Sequence, residues 1–138
     1  MTDAELVAEK LAFVETCVRE LRELAHPELI EQDLREERFV AHTLQLAIQA
    51  ALDVASHIVS DARLGEPATN KQLFDLLVTN DWVPRALAQP LAGMAGFRNI
   101  LVQGYETVDK AVVRDVVEHR LDDLLGYVSA IRSKLTGV

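Results

Sequence analysis

The sequence predicts an all-α fold, an up-and-down bundle of about five helices, on three observations. Apolar residues recur at steps of three and four along most of the chain, the period of an amphipathic helix. Ala, Leu, Val, Glu and Arg dominate, while Gly and Pro number 6 and 4 and aromatics make up 5%, the usage of a bundle rather than a sandwich. No stretch alternates apolar and polar residues as a half-buried strand would.

Each element has a local reason. Thr2 with Glu5 reads as a capping box that starts the first helix. Behind it Val7, Leu11, Val14, Val18 and Leu21 form a narrow seam close to a heptad. The helix is expected to stop near His26-Pro27, because proline disfavours a helical residue before it. A long second helix is expected from Leu34 to Ser60, with Val40, Leu44, Ile48, Leu52, Ala55 and Val59 on one face. Its Ala41, Ala47, Ala50 and Ala51 allow close helix approach. Gly65-Glu66-Pro67 marks a loop. A short helix follows from Asn70 to Thr79, capped by Thr69 or Asn70 and broken at Asn80-Asp81, with Leu73, Phe74, Leu76 and Leu77 facing in. The fourth helix is expected from Val83-Pro84 to Val102, kinked or split at Pro90 and weakened by Gly93, Gly96 and Gly104. The last is expected from Val108 to Leu135, with Val112, Val116, Leu121, Leu124, Val128, Ile131 and Leu135 as its apolar stripe. Such long, narrow seams leave surface that a second copy could cover, so a dimer is expected.

The 138 residues suit one domain spanning the chain. An apolar content of 49% excludes a disordered chain. The formal charge of -8 counts against a general nucleic-acid binder. It leaves room for a local positive site, because screening confines charge effects to about 10 Å. The lone Cys17 excludes an internal disulfide and a cysteine metal cluster; it reads as a small apolar residue packed in a helix. The start Met1-Thr2-Asp3-Ala4-Glu5 is unlike a signal peptide, and no apolar run approaches the roughly 20 residues of a membrane span. The expected location is the cytoplasm, with no membrane association.

The segment Gly96-Phe97-Arg98-Asn99-Ile100-Leu101-Val102-Gln103-Gly104-Tyr105 stands out. It gathers Arg98, Asn99, Gln103 and Tyr105 near one helix end. On a continuous helix Arg98 and Tyr105 share nearly one face, whereas Gln103 lies on another. For all three to meet, the turn near Gly104 must leave the helix, or a second chain must supply one of them.

This segment resembles the HEPN superfamily, and within it the HepT-like toxins of the HepT–MntA toxin–antitoxin type. The family signature is Arg, four residues, His, any residue, Tyr. Here it reads Arg98, Asn99-Ile100-Leu101-Val102, Gln103, Gly104, Tyr105. The phrase Gly-Phe-Arg-Asn, the Val108-Asp109 pair and the helix layout extend the likeness over nearly the whole chain. The resemblance implies a metal-independent endoribonuclease without cofactor, working as a homodimer with Arg and His from both protomers lining an interface cleft. The residue types fit the chemistry. The RNA 2′-hydroxyl attacks the adjacent phosphorus, a histidine moves the proton, and the arginine fork stabilises charge growing on the phosphate oxygens. Asn99 would orient groups in the cleft.

The departure is Gln103 at the histidine position. An amide does not titrate, so it can neither take nor give the proton. A natural weakened member, or a deliberate substitution that makes a toxic chain expressible, would account for it. Either way a catalytically inactive variant is expected. Tyr105 carries a further implication of the resemblance: a nucleotidyltransferase (MntA-type) antitoxin transfers AMP units to the motif tyrosine, placing phosphates beside Arg98 in competition with RNA.

The remaining candidates are weaker. Asp53 and His57, four apart, could share a metal, but no third ligand is evident and a surface pair is favoured. His26 reads as a helix-end residue. His42 and His119 stand alone, and His42, on the helix expected to pack near the motif helix, is a further candidate to line the cleft. Residues Asp33 to Arg38 read as a solvated face with local ion pairs. Lys110 and Arg114 could extend a positive patch for RNA, and Trp82 reads as core or edge packing. Two functions therefore stay open: a ribonuclease toxin subunit, and a non-catalytic HEPN module that binds a nucleotidyltransferase partner or nucleotide.

Overall fold

A computed structural model describes residues 3–104 and 107–137. Among these, the regular elements are helices: α1 (Ala4–Leu24), α2 (Leu34–Asp61), α3 (Asn70–Thr79), α4 (Ala88–Gln103), α5 (Lys110–His119) and α6 (Leu121–Thr136), with short 3₁₀ turns at Pro27–Leu29 and Arg85–Leu87.

The caps explain most boundaries. Thr2 lies outside the described residues, and Asp3 performs the capping expected of it, accepting from the Leu6 N–H. Asp33 caps α2 through the Arg35 N–H, and Thr69 caps α3 through the Gln72 N–H. Asn80 ends α3, and Asp81 follows with φ +63°, a left-handed conformation that Asp tolerates. His26 precedes the 3₁₀ turn at Pro27, its N–H donating to Glu36 at 2.8 Å, as a helix-end residue should.

Two expectations fail for a physical reason. Pro90 neither kinks nor splits a helix. The chain spends Arg85–Leu87 in a 3₁₀ turn and starts α4 at Ala88, so Pro90 falls in the first turn, where no intrahelical partner exists for an N–H. The single last helix is in fact two. Arg120, at φ -116° and ψ -1°, interrupts it. On one side α5 packs on α2 and the turn after α1; on the other α6 packs on α1. No Gly or Pro marks the break, and Val112, expected to face in, is 45% exposed.

Helix α2 is the central element, touching α1, α3, α4, α5 and α6. Its alanines Ala41, Ala47, Ala50 and Ala51 are buried together with the expected seam from Val40 to Val59. Small side chains there let neighbouring backbones approach from several sides. The α1 seam is buried throughout, with Cys17 beside it. In α3, Phe74 and Leu77 are buried, while Leu73 and Leu76 pack partly against the core.

Tyr127 of α6 was not singled out by the sequence. It has no exposed surface. Its hydroxyl donates to the Ala51 carbonyl of α2 at 2.7 Å, and its ring meets Phe74 edge-on, with centroids 5.5 Å apart. Burial pushes its phenol pKa upward. On the surface, Arg132 of α6 donates to both carboxylate oxygens of Glu15 on α1 at 2.6 and 2.8 Å; that hydrogen bonding holds the Glu15 pKa below its usual value.

Cys17 is 2% exposed, and burial pushes its thiol pKa up to about 11. The native state therefore disfavours the thiolate that the unfolded chain forms near pH 8.5. This contribution to stability is complete below about pH 8.5 and is lost as pH rises toward about 11. Urea midpoints measured across that window should fall more steeply for the wild type than for Cys17→Ser. Parallel curves would remove the assignment.

Candidate functional site

The motif occupies the last turns of α4 and the glycine that ends it. Gly104 terminates the helix with φ +142° and ψ +136°, a conformation that only glycine adopts readily. Helix α4 is continuous through Gln103. Five residues at helical pitch then set Arg98 and Gln103 roughly 140° apart around the axis. Arg98 turns toward the body of the protein and is half-buried, whereas Gln103 is exposed. Arg98 and Asn99 are brought together; Gln103 is not. Tyr105 lies outside the described residues.

The Arg98 side chain has a defined setting. Nη1 donates to Asn99 Oδ1 at 3.4 Å, and Nε is buried with no hydrogen-bond partner among the described residues. The same Asn99 oxygen accepts from Nδ2 of Asn70, at the start of α3, at 3.0 Å. A buried guanidinium N–H without an acceptor is costly. Sequence reasoning found Asn70 only as a helix cap; its second role depends on α3 packing against α4, which no local signal reveals.

Lys110 and Arg114, which could have extended a positive patch, are engaged by acids instead. Arg114 donates to Glu31 at 3.2 Å and to Glu118 at 3.1 Å, and these hydrogen bonds, the Glu118 one foremost, raise its pKa. Lys110 Nζ sits 3.2 Å from Glu37 Oε2, off the hydrogen-bond direction, so that this buried oxygen has no hydrogen-bond partner among the described residues. Both cations neutralise nearby acids instead of adding to a patch.

The other candidates resolve locally. Asp53 pairs with Lys10 at 3.2 Å and accepts from Gln49 at 2.8 Å, while His57 Nε2 accepts the Asp3 backbone N–H at 2.9 Å. They do not face a common ligand. Among the described residues no group of three or more His, Cys, Asp or Glu could hold a metal. Trp82 is partly buried against the core, with Lys134 over its ring at 5.9 Å. His42 and His119 are exposed. No helix among the described residues is long and apolar enough to cross a membrane.

Among the described residues the chain is an all-α bundle whose fourth helix carries the Arg98–Asn99 pair in its last turns and stops at Gly104. The chain belongs to the Ribonuclease HepT-like family, whose model matches residues 14–131. It is 28% identical over 131 residues to the mRNA nuclease HepT of Shewanella oneidensis, covering 94% of this chain and 98% of the relative. It is 35% identical over 105 residues to the tRNA nuclease HepT of Aphanizomenon flos-aquae, covering 76% and 69%.

Among solved structures, the tri-AMPylated Shewanella oneidensis HEPN toxin in complex with MNT antitoxin superposes with a TM-score of 0.85 at 28% identity, covering 96% of this chain and 99% of that one. A toxin–antitoxin structure with AMP-PNP superposes with a TM-score of 0.87 at 27% identity, over 94% and 98%. A cytosolic protein of unknown function from Bacillus subtilis shares the fold, with a TM-score of 0.88 at 20% identity over 99% and 92% of the two chains.

Proposed function

We propose that this chain is the toxin member of a toxin–antitoxin pair, with an RNA-cleaving site that forms only between two copies. The observation that carries this reading is the continuity of α4 through Gln103. One chain presents Arg98 on one face and residue 103 on another, so a site using both draws them from different protomers. Exposed apolar side chains adjoin the motif, Ile100 and Val102 on α4 and Val112 on α5. Beside them a groove of about 410 Å³ between α4 and α5 is floored by Met94, Phe97 and Val116. Such a surface suits a homodimer contact.

In this site Arg98 holds the scissile phosphate and Asn99 orients it. Residue 103 is where the 2′-hydroxyl proton would be taken or the leaving oxygen protonated. Gln103 can hydrogen-bond there without moving a proton, which leaves the chain impaired as a catalyst. That absence also favours a second reading, a non-catalytic HEPN module that keeps the partner-binding surface and Arg98 alone.

A mixing experiment tests the composite site. The double variant Arg98→Ala/Gln103→His lacks the arginine, and the chain as it stands lacks the histidine. Neither should cut a single-stranded RNA alone. Mixed, they should gain activity, because one of the two sites of the heterodimer then holds both groups. A mixture as inactive as its components would overturn the shared site.

Tyr105 follows the glycine stop, and the same reading makes it the acceptor of AMP from a nucleotidyltransferase antitoxin. The resemblance implies that phosphates attached through its phenolic oxygen compete with RNA for Arg98. Incubation with such an antitoxin and ATP should add AMP masses to the peptide containing Tyr105 and none to the Tyr105→Phe variant. Equal labelling of that variant would place the modification elsewhere.

A further inference from the structure

We infer that Asn70, on α3 and outside the motif, is a positioning residue of this site, one that sets the amide of Asn99 and through it the guanidinium of Arg98. The inference rests on the ribonuclease reading above and extends it to a second helix.

The geometry is a convergence on one atom. Asn70 Nδ2 reaches Asn99 Oδ1 at 3.0 Å, and Arg98 Nη1 reaches the same oxygen at 3.4 Å. Two donors on one side fix which way the Asn99 amide faces, since an amide turned over would set its NH₂ against two other donors. The Asn99 oxygen is thereby turned toward Arg98, and its NH₂ is left as a donor away from that pair. Asn99 is exposed, and an exposed asparagine without such a hold samples several rotamers. The Arg98 guanidinium is thereby held through Nη1, while its Nε is buried without a partner among the described residues.

Asn70 is itself well anchored. Thr69 Oγ1 accepts the Gln72 N–H at 3.2 Å, and the Gln72 side chain accepts the Ala68 N–H at 2.6 Å. These two bonds flank Asn70 and fix the first turn of α3. Upstream, Gly65 at φ +149° lies so close to Leu76 that an added Cβ would sit 3.1 Å from its Cδ2, which draws the α2–α3 loop onto α3. The loop, the cap and α3 therefore deliver the Asn70 amide to α4 on a rigid element, as a site-supporting residue requires.

The test uses the intact chain and a short single-stranded oligouridylate as probe, with the side-chain amide signals of Asn99 followed by NMR. Asn70→Ala should move the Asn99 side-chain signals and weaken oligouridylate binding about 2- to 10-fold, the effect of one hydrogen bond, without lowering the melting temperature. Asn70→Gln, which keeps the amide donor on a longer arm, should recover part of both. Asn70→Asp should reverse the Asn99 amide and weaken binding further, because a carboxylate would compete for Arg98.

Unmoved Asn99 signals in Asn70→Ala overturn the inference. So do moved signals with unchanged affinity, where Arg98→Ala still lowers it. If the wild-type chain binds no oligouridylate, the ribonuclease reading fails, and the Asn99 signals alone then decide for or against the hold that Asn70 exerts.

Discussion

Replacing Gln103 with histidine is expected to raise the rate of RNA cleavage by about 10²–10⁴-fold, the usual contribution of a general acid or base. Transfer of the 2′-hydroxyl to phosphorus requires a proton to leave the attacking oxygen and another to reach the departing one. Imidazole exchanges protons near neutral pH, and the Gln103 amide does not. Position 103 is exposed at the end of α4, so the substitution should leave the fold intact. The gained activity should depend on pH through the imidazole, and Arg98→Ala in the same background should abolish it. Cleavage assays on a single-stranded RNA, with melting curves as a control for folding, provide the check. A rate unchanged by Gln103→His would favour the non-catalytic module.

Removing the Tyr127 side chain is expected to have the largest effect on stability. A fully buried aromatic truncated to alanine costs about 3–5 kcal/mol, a large share of the roughly 5–15 kcal/mol that holds such a domain together. Tyr127 links three helices. Its ring meets Phe74 of α3, its hydroxyl reaches Ala51 of α2, and its backbone belongs to α6. Tyr127→Phe keeps the ring and removes only the hydroxyl, so it should cost about 0.5–1.5 kcal/mol. Chemical denaturation of the two variants separates packing from hydrogen bonding. A Tyr127→Ala variant within about 1 kcal/mol of the wild type would show that the site collapses to fill the space, against the usual cost of such a cavity.

The two predictions probe different halves of the molecule. The first concerns the exposed end of α4, where a side chain can change chemistry with little consequence for packing. The second concerns the layer between α2, α3 and α6, where the reverse holds. On the proposed reading, function is carried at the rim of a bundle whose interior is set largely by Ala, Leu, Val and Ile.

The sequence by itself determined the helical class, the family and most boundaries, because these depend on local chemistry. Thr69 and Asn80 bracket α3, Gly104 stops α4, and the steps of four and three along Val40, Leu44, Ile48, Leu52 and Ala55 make α2. The motif from Arg98 to Tyr105 was legible for the same reason, being contiguous, and so was the glutamine at the position where the resemblance expects histidine.

Tertiary structure decided what depends on packing between distant segments. The break at Arg120 arises because α5 and α6 lie against different helices, and no breaker residue announces it. Lys110 and Arg114 were drawn into ion pairs with Glu37 and Glu31 from the α2 side of the bundle, so charge near the motif in sequence did not become charge at the site. Asn70 reached Asn99 across 29 residues, and Tyr127 reached Ala51 across 76. Contacts of that span carry no periodic or local signature. They exist because packing the apolar faces of α2, α3, α4 and α6 brings those segments together; the buried Tyr127 hydroxyl then needs a partner inside, and the exposed Asn70–Asn99 pair meets at the surface of the same packing.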